Sequence, residues 1–278
     1  MVDQAAQPRT TPTPGRIGQA LAAAKRAGRP ALMPFIPGGY PDLAATAATI
    51  SALERAGATL AEVGFPFSDP IADGPTIQAA FTAALAKGLR VADVFDAVRR
   101  ARSAGATLPL VAMVSYSIVF RYGADRFFAD AKGAGFDGMI LPDLPPPEAA
   151  TVCGRAWAAG LDTCLLVAPS TPPARRAEIA RLSTGFVYYL SVAGVTGARD
   201  QLPADLAENL AALKQLSDRP VCVGFGVHTA AQVAALGTMA DGAIVGSAMV
   251  RRMGDAAAGG AEAVATAAAA YCRQLLGA

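Results

Sequence analysis

Histidine is nearly absent from the 278-residue chain, with His228 standing alone. A Ser-His-Asp hydrolase or a histidine-based metal site would have to be built around that single imidazole, which argues against both. Cysteine is scarce too. Cys153, Cys164, Cys222 and Cys272 are dispersed and form no C-x-x-C pair, a pattern of buried thiols in a reducing compartment, not of a disulfide frame or a zinc site. Aromatic residues make up only 6% of the chain and the net charge is +2 with no basic stripe, so a nucleic-acid binder's stacking platforms and electrostatic footprint are both missing. No apolar stretch reaches the roughly 18 residues of a spanning helix, and the opening MVDQAAQPRTTPTPG lacks the layout of a secretory signal. The expected setting is cytoplasmic. What the chain does have is apolar mass: 53% of its residues are hydrophobic and 17% charged, far from the composition of disordered chains.

Residues 1–14, rich in Pro and Thr and without an apolar period, read as a mobile tail, leaving 15–278 as one domain. Eight short apolar runs follow: LMPFI at 32, LAEV at 60, LVAMV at 110, GMIL at 138, CLLV at 164, FVYYL at 186, VCVGF at 221 and GAIVG at 242. Nearly continuous apolar runs are the mark of strands buried on both faces of a parallel sheet. Between them lie segments such as DLAATAATISALERAG, DRFFADAKGAG and ADLAENLAALKQLS, with helical spacing and often a closing Gly. Repeated strand-turn-helix units with no change of composition predict an α/β fold, a single (β/α)8 TIM barrel with extra helices. The alternative is an open doubly wound sheet, but IPGGYP after the first run lacks the G-x-G-x-x-G spacing.

Two intervals between runs are long, 50 residues after the second and 35 after the sixth. They contain GFPFSDPIADGPTIQ and SVAGVTGARDQLP, and loops that follow barrel strands form the catalytic face. Long βα loops 2 and 6 are therefore the expected site. Glu62 interrupts an apolar run at the end of the second strand and reads either as a catalytic group or as a buried ion-pair partner. An apolar wall from Phe35, Phe65 and Phe67 would raise its pKa. Asp73, eleven positions on, reads equally as a catalytic carboxylate and as a turn or N-cap residue. Two carboxylates can divide proton donation from acceptance if their environments separate their pKa values. Late in the chain, GFGV at 224 and VGSAMV at 245 place Gly226, Gly246 and Ser247 at turns where backbone N–H groups and a helix end suit a phosphate, although tight barrel turns would look the same. Asp143 in LPDLP reads as an orienting group or a helix cap, and His228 as a helix-start or surface residue.

The motif EVGFPFSDPIADGPTIQ, followed in order by GVTGARD, GFGV and DGAIVGSAMV, resembles the tryptophan synthase α chain family, and PFIPGGYPD is similar to that family's first loop. The likeness runs from about Ile17 to Leu276. It implies a cofactor-free lyase of tryptophan biosynthesis that cleaves indole-3-glycerol phosphate to indole and glyceraldehyde 3-phosphate. Glu62 and Asp73 match the family's catalytic glutamate and aspartate. Phe35, Ile77 and Tyr188 match substrate-contacting positions, Gly197, Phe225, Gly226, Gly246 and Ser247 match the phosphate pocket, and Thr196 lies in the closing sixth loop. No metal is implied. The resemblance also implies a pyridoxal-phosphate β chain in an αββα assembly, contacted through Pro66 and Asp69. A stand-alone lyase and a non-catalytic activator of a β chain are the alternatives. Two departures stand out: Ser115-Tyr116-Ser117 replaces a common Tyr-x-Asn, and Pro37 stands where Thr is frequent.

Overall fold

The computed structural model describes residues 15–70, 73–190, 202–224 and 226–277. Among them the apolar runs form nine parallel strand segments: β1 (Leu32–Pro37), β2 (Ala61–Gly64), β3 (Leu110–Met113), β4 (Gly138–Ile140), β5 (Asp162–Thr163), β6 (Leu166–Val167), β7 (Val187–Leu190), β8 (Val221–Gly224) and β9 (Gly242–Val245). Their hydrogen-bonded order is β5-β4-β3-β2-β1-β9-β8-β7-β6. The two ends of that order are neighbours in the chain, separated only by Cys164 and Leu165. They are halves of one barrel strand. The half at β5 pairs with β4 and the half at β6 with β7, and backbone bonds of 2.9 Å from Cys164 N–H to the Met139 carbonyl and from Tyr188 N–H to the Leu165 carbonyl carry the ladder across the break. The sheet thus closes into the eight-stranded barrel that the runs predict, and the open doubly wound alternative falls.

The period-2 alternation of strand side chains sorts the core into two shells. Met33, Leu60, Val111, Ile140, Cys164, Phe186, Tyr188, Cys222 and Ile244 fill the barrel. Their alternates Leu32, Ile36, Val63, Ala112, Val187 and Val223 face outward, against the helices. Each Leu, Val or Phe fully removed from water contributes roughly 1.5–3 kcal/mol, so this double shell dominates stability. Glu62 shares the parity of Leu60 and therefore belongs to the inner shell.

Local signals set the helices. Asp42 caps Leu43–Arg55 by accepting Ala45 N–H at 2.7 Å, and Gly57 leaves that helix at φ +91°. The Arg16–Arg26 helix plugs one end of the barrel, with Ile17, Leu21 and Ala24 joining the inner shell. Arg16 and Arg102 both reach the buried Asp137, at 3.0 and 3.3 Å. The 50-residue interval after the second run is not mainly an oversized loop. Two helices, Pro75–Leu85 and Val91–Ser103, take up about half of it, and the loop between β2 and Pro75 spans residues 65–74. All four cysteines are buried and unpaired. No helix among the described residues is long and apolar enough to cross a membrane.

Candidate active site

Glu62 sits inside the barrel, 1% exposed, in register beside Phe35 on β1 and Val111 on β3. Its Oε1 has no hydrogen-bond partner among the described residues. A buried carboxylate with an unanswered oxygen holds its charge at high cost, and burial pushes its pKa from 4.5 to about 8. It is therefore protonated at neutral pH. Of the three phenylalanines expected to form its wall, Phe35 is adjacent, and Phe65, which also packs against Phe95, Phe127 and Phe136, lines one cavity with Phe35 and Phe67. The rest of the Glu62 environment is made by the inner shell, Tyr188 included. The Tyr188 phenol is raised first by burial and then by the charges of Glu62 and Asp73.

Asp73 ends the loop after β2. Its N–H donates to the Pro70 carbonyl at 3.1 Å, and its own carbonyl accepts from Gln78 Nε2 at 2.7 Å. The following helix has Gly74 as its N-cap. Asp73 lines a cavity of about 230 Å³ together with Phe35, Phe67, Phe81, Met113 and Ser115. Burial raises its pKa from 3.8 to about 6, which leaves it ionised at pH 7. Two carboxylates of one region thus stand in opposite protonation states, the arrangement that separates an acid from an electrostatic partner.

A second feature adjoins the first. Gly226, in the turn after β8, stands at φ +82°, a conformation that costs glycine nothing. Gly246 precedes the Ser247–Asp255 helix, which also lacks a side-chain cap. The Ser247 Oγ is buried and without a hydrogen-bond partner among the described residues. An unanswered hydroxyl beside the orphan N–H groups of a helix start is chemistry suited to an anion. Ile77 bridges the two features: its Cδ1 lies 3.9 Å from where a Cβ on Gly246 would sit, and it packs in one cluster with Phe35, Phe81 and Val250.

Comparison with known proteins settles the lineage of this arrangement. The family profile described as "Tryptophan synthase alpha chain" matches residues 21–276. The chain belongs to the tryptophan synthase alpha chain family. It is 44% identical over 238 residues to the alpha chain of Chloroflexus aggregans, covering 86% of this chain and 89% of the relative. To that of Chloroflexus aurantiacus it is 43% identical over 263 residues, covering 95% and 98%. A structure of Mycobacterium tuberculosis tryptophan synthase superposes with a TM-score of 0.84 at 39% identity, covering 95% of this chain and 99% of that one. A mutant tryptophan synthase alpha-subunit from Pyrococcus furiosus gives 0.81 at 36% identity, covering 90% and 99%.

For this alpha chain family member, the structure brings Glu62, Asp73, Phe35, Ile77 and Tyr188 together around the barrel mouth, with Gly226, Gly246 and Ser247 beside them. Thr196, Gly197 and Phe225 lie outside the described residues. Of the two expected partner contacts, Asp69 is exposed and lines the cavity, whereas Pro66 is buried within the chain itself. Asp143 caps a helix, but not its own. Its carboxylate accepts the Ser115 hydroxyl at 2.6 Å and the Tyr116 N–H at 2.6 Å, holding the start of Tyr116–Tyr122 from across the cavity rim. Met113 and Phe81 also line the cavity and were missed in the sequence, where both read simply as apolar pattern.

Proposed function

We propose that the chain cleaves indole-3-glycerol phosphate to indole and glyceraldehyde 3-phosphate by a retro-aldol route. The observation that carries this reading is the split between the two carboxylates, Glu62 raised to about 8 and Asp73 to about 6. At neutral pH the protonated Glu62 donates its proton to C3 of the indole ring, turning C3 into a leaving carbon. Positive charge then develops at the ring nitrogen, where the ionised Asp73 accepts the N–H and stabilises it. Glu62, now a carboxylate, takes the proton of the glycerol hydroxyl next to C3. The bond from C3 to that carbon breaks, its electron pair returns to the ring, and the carbon leaves as the aldehyde. Glu62 ends protonated, as it began.

Phe35, Ile77 and Tyr188 supply the apolar walls for the indole, and Gly226, Gly246 and Ser247 the backbone donors for the phosphate. Thr196, Gly197 and Phe225 complete this set by family resemblance. The chain itself calls for no cofactor. Its product fits a pyridoxal-phosphate β chain as partner in an αββα assembly, with Asp69 and Pro66 on the contacting loop. A soluble, cytoplasmic setting, a single domain over 15–278 and a tail over 1–14 belong to the same reading.

The deciding experiment is turnover of indole-3-glycerol phosphate with indole as readout. Activity in the wild type and a loss of more than about 10²-fold in Glu62→Gln are expected, the usual size for removing an acid–base group. No indole from the wild type, with or without an added β chain, overturns the reading.

A further inference from the structure

The two halves of the phosphate cradle come from different elements: Gly226 from the turn after β8, and Gly246 with Ser247 from the helix start after β9. Gly226 at φ +82° can leave that conformation freely, because glycine has no side chain to hold it there.

Behind the cradle stands the chain's lone imidazole, half-buried at the start of the Ala230–Met239 helix, just before its N-cap Thr229. His228 Nδ1 lies 2.7 Å from the Gly226 carbonyl. A carbonyl only accepts, so Nδ1 carries the proton and donates it. The His228 backbone is fastened on both sides: its N–H donates to Gln232 Oε1 at 2.9 Å, and its carbonyl accepts from the Tyr271 hydroxyl at 2.7 Å. Gln232 and Thr229 complete a reciprocal capping box on Ala230–Met239, which fixes the start of that helix and with it the anchor for His228. Tyr271 belongs to Gly260–Leu276 and is buried, 5% exposed. The guanidinium of Arg252 lies 5.3 Å over its ring centroid. Arg252 is on the helix that Ser247 begins. One tyrosine therefore holds the Gly226 turn by its hydroxyl and the Ser247 helix by its ring.

We propose that His228 and Tyr271 are positioning residues for recognition of a phosphate monoester. His228 fixes the Gly226 peptide, and Tyr271 ties that turn to the helix beginning at Ser247, so that the donors of both halves are aligned before the ligand arrives. Neither residue touches the phosphate. Their effect is pre-organisation: without them, the turn is ordered at the expense of binding. The inference rests on the reading of the cradle as a phosphate site. It assigns the larger cost of losing either residue to the phosphate end, because Phe35, Ile77 and Asp73 of the indole end belong to other elements, which meet the Ser247 helix at Ile77.

Three variants test it. His228→Asn keeps an amide N–H near the place of Nδ1, His228→Ala removes the donor, and Tyr271→Phe removes only the hydroxyl. Dissociation constants for glycerol 3-phosphate and, separately, for indole are measured by calorimetry, with KM and kcat for indole-3-glycerol phosphate alongside. Losing one such hydrogen bond is expected to weaken glycerol 3-phosphate binding about tenfold in His228→Ala and at least threefold in Tyr271→Phe. His228→Asn is expected within about twofold of wild type, indole affinity unchanged in all three, and the defect seen in KM with kcat retained. Wild-type affinity for glycerol 3-phosphate in His228→Ala overturns the positioning role, as does a His228→Asn as weak as the alanine variant. Parallel loss of indole and phosphate affinity also overturns it, since that marks general damage to the fold. A wild type that binds no glycerol 3-phosphate overturns the cradle reading and this role together. A wild type that binds it with the expected variant pattern, yet forms no indole, supports this role and overturns only the proposed reaction.

Discussion

Tyr188 on β7 occupies the space that a side chain on Gly224 of the neighbouring β8 would need. Its hydroxyl and ring carbons Cε1 and Cζ lie well inside van der Waals contact of a Cβ built on Gly224. Tyr188 is buried and packed among the inner-shell side chains of the barrel, so it has little room to retreat. Gly224→Ala is therefore expected to destabilise the chain by about 1–3 kcal/mol, the usual size of an overpacking change, and to depress indole formation at least tenfold. Pairing it with Tyr188→Leu tests the cause. The double variant should lose less stability in urea unfolding than the two single losses combined, a coupling expected only for residues in contact.

Glu62 is a stability liability with a definite pH dependence. Its folded pKa of about 8 stands above the unfolded 4.5, so the folded state holds the proton more tightly. The associated stability is fully present below pH 4.5 and is lost as pH rises through about 8. Glutamine at this position keeps the shape and never ionises. Glu62→Gln should match the wild type in urea unfolding at pH 4.5 and exceed it by more than ~1 kcal/mol at pH 9. A constant difference across that range would sink the assignment of a buried, proton-holding Glu62.

The barrel was readable because parallel strands buried on both faces leave continuous apolar runs, and every run became strand. The break in the fifth strand was not readable. Hydroxyls from a later segment flank it: Leu165 N–H donates to Ser183 Oγ at 3.2 Å and Thr163 N–H to Thr184 Oγ1 at 3.0 Å. Glu62 was conspicuous as a carboxylate inside an apolar run, but its depth within the inner shell follows only once Leu60 fixes the parity. Asp143 lay beyond local reading because its partners, Ser115 and Tyr116, are brought to it by β3 and β4 pairing. The second interval was readable in part. Its unusual motif drew attention from the ordinary helical pattern of Pro75–Leu85 and Val91–Ser103, which supplies about half of its length.

The opposite protonation states also predict the pH–rate profile. Asp73 must be ionised, so kcat/KM should fall as pH drops below about 6, and Glu62 must be protonated, so it should fall again above about 8. The result is a bell centred near neutrality. Asp73→Asn should remove the acidic limb while lowering the rate at least tenfold, with the alkaline limb retained. A profile whose alkaline limb vanishes in Asp73→Asn would reverse the two roles.

Asp143 and Ser115 make the last test, because they join a structural contact to the cavity wall. The Asp143 carboxylate closes the N-terminus of a seven-residue helix, Tyr116–Tyr122, which has too few turns to hold itself. A second bond, from the Tyr116 hydroxyl to Glu148, runs between the same two loops. Asp143→Ala leaves the Tyr116 N–H unanswered and is expected to cost about 1 kcal/mol, at the lower range for a lost cap because Asp143 is exposed. Asp143→Asn keeps an oxygen for that N–H and presents an amide that the Ser115 hydroxyl accepts from, so it should recover more than half of the loss. Since Ser115 and Asp143 both line the cavity beside Asp73, the alanine variant should also raise KM for the indole substrate severalfold. A stability loss with unchanged KM would separate the helix cap from the pocket and confine Asp143 to the fold.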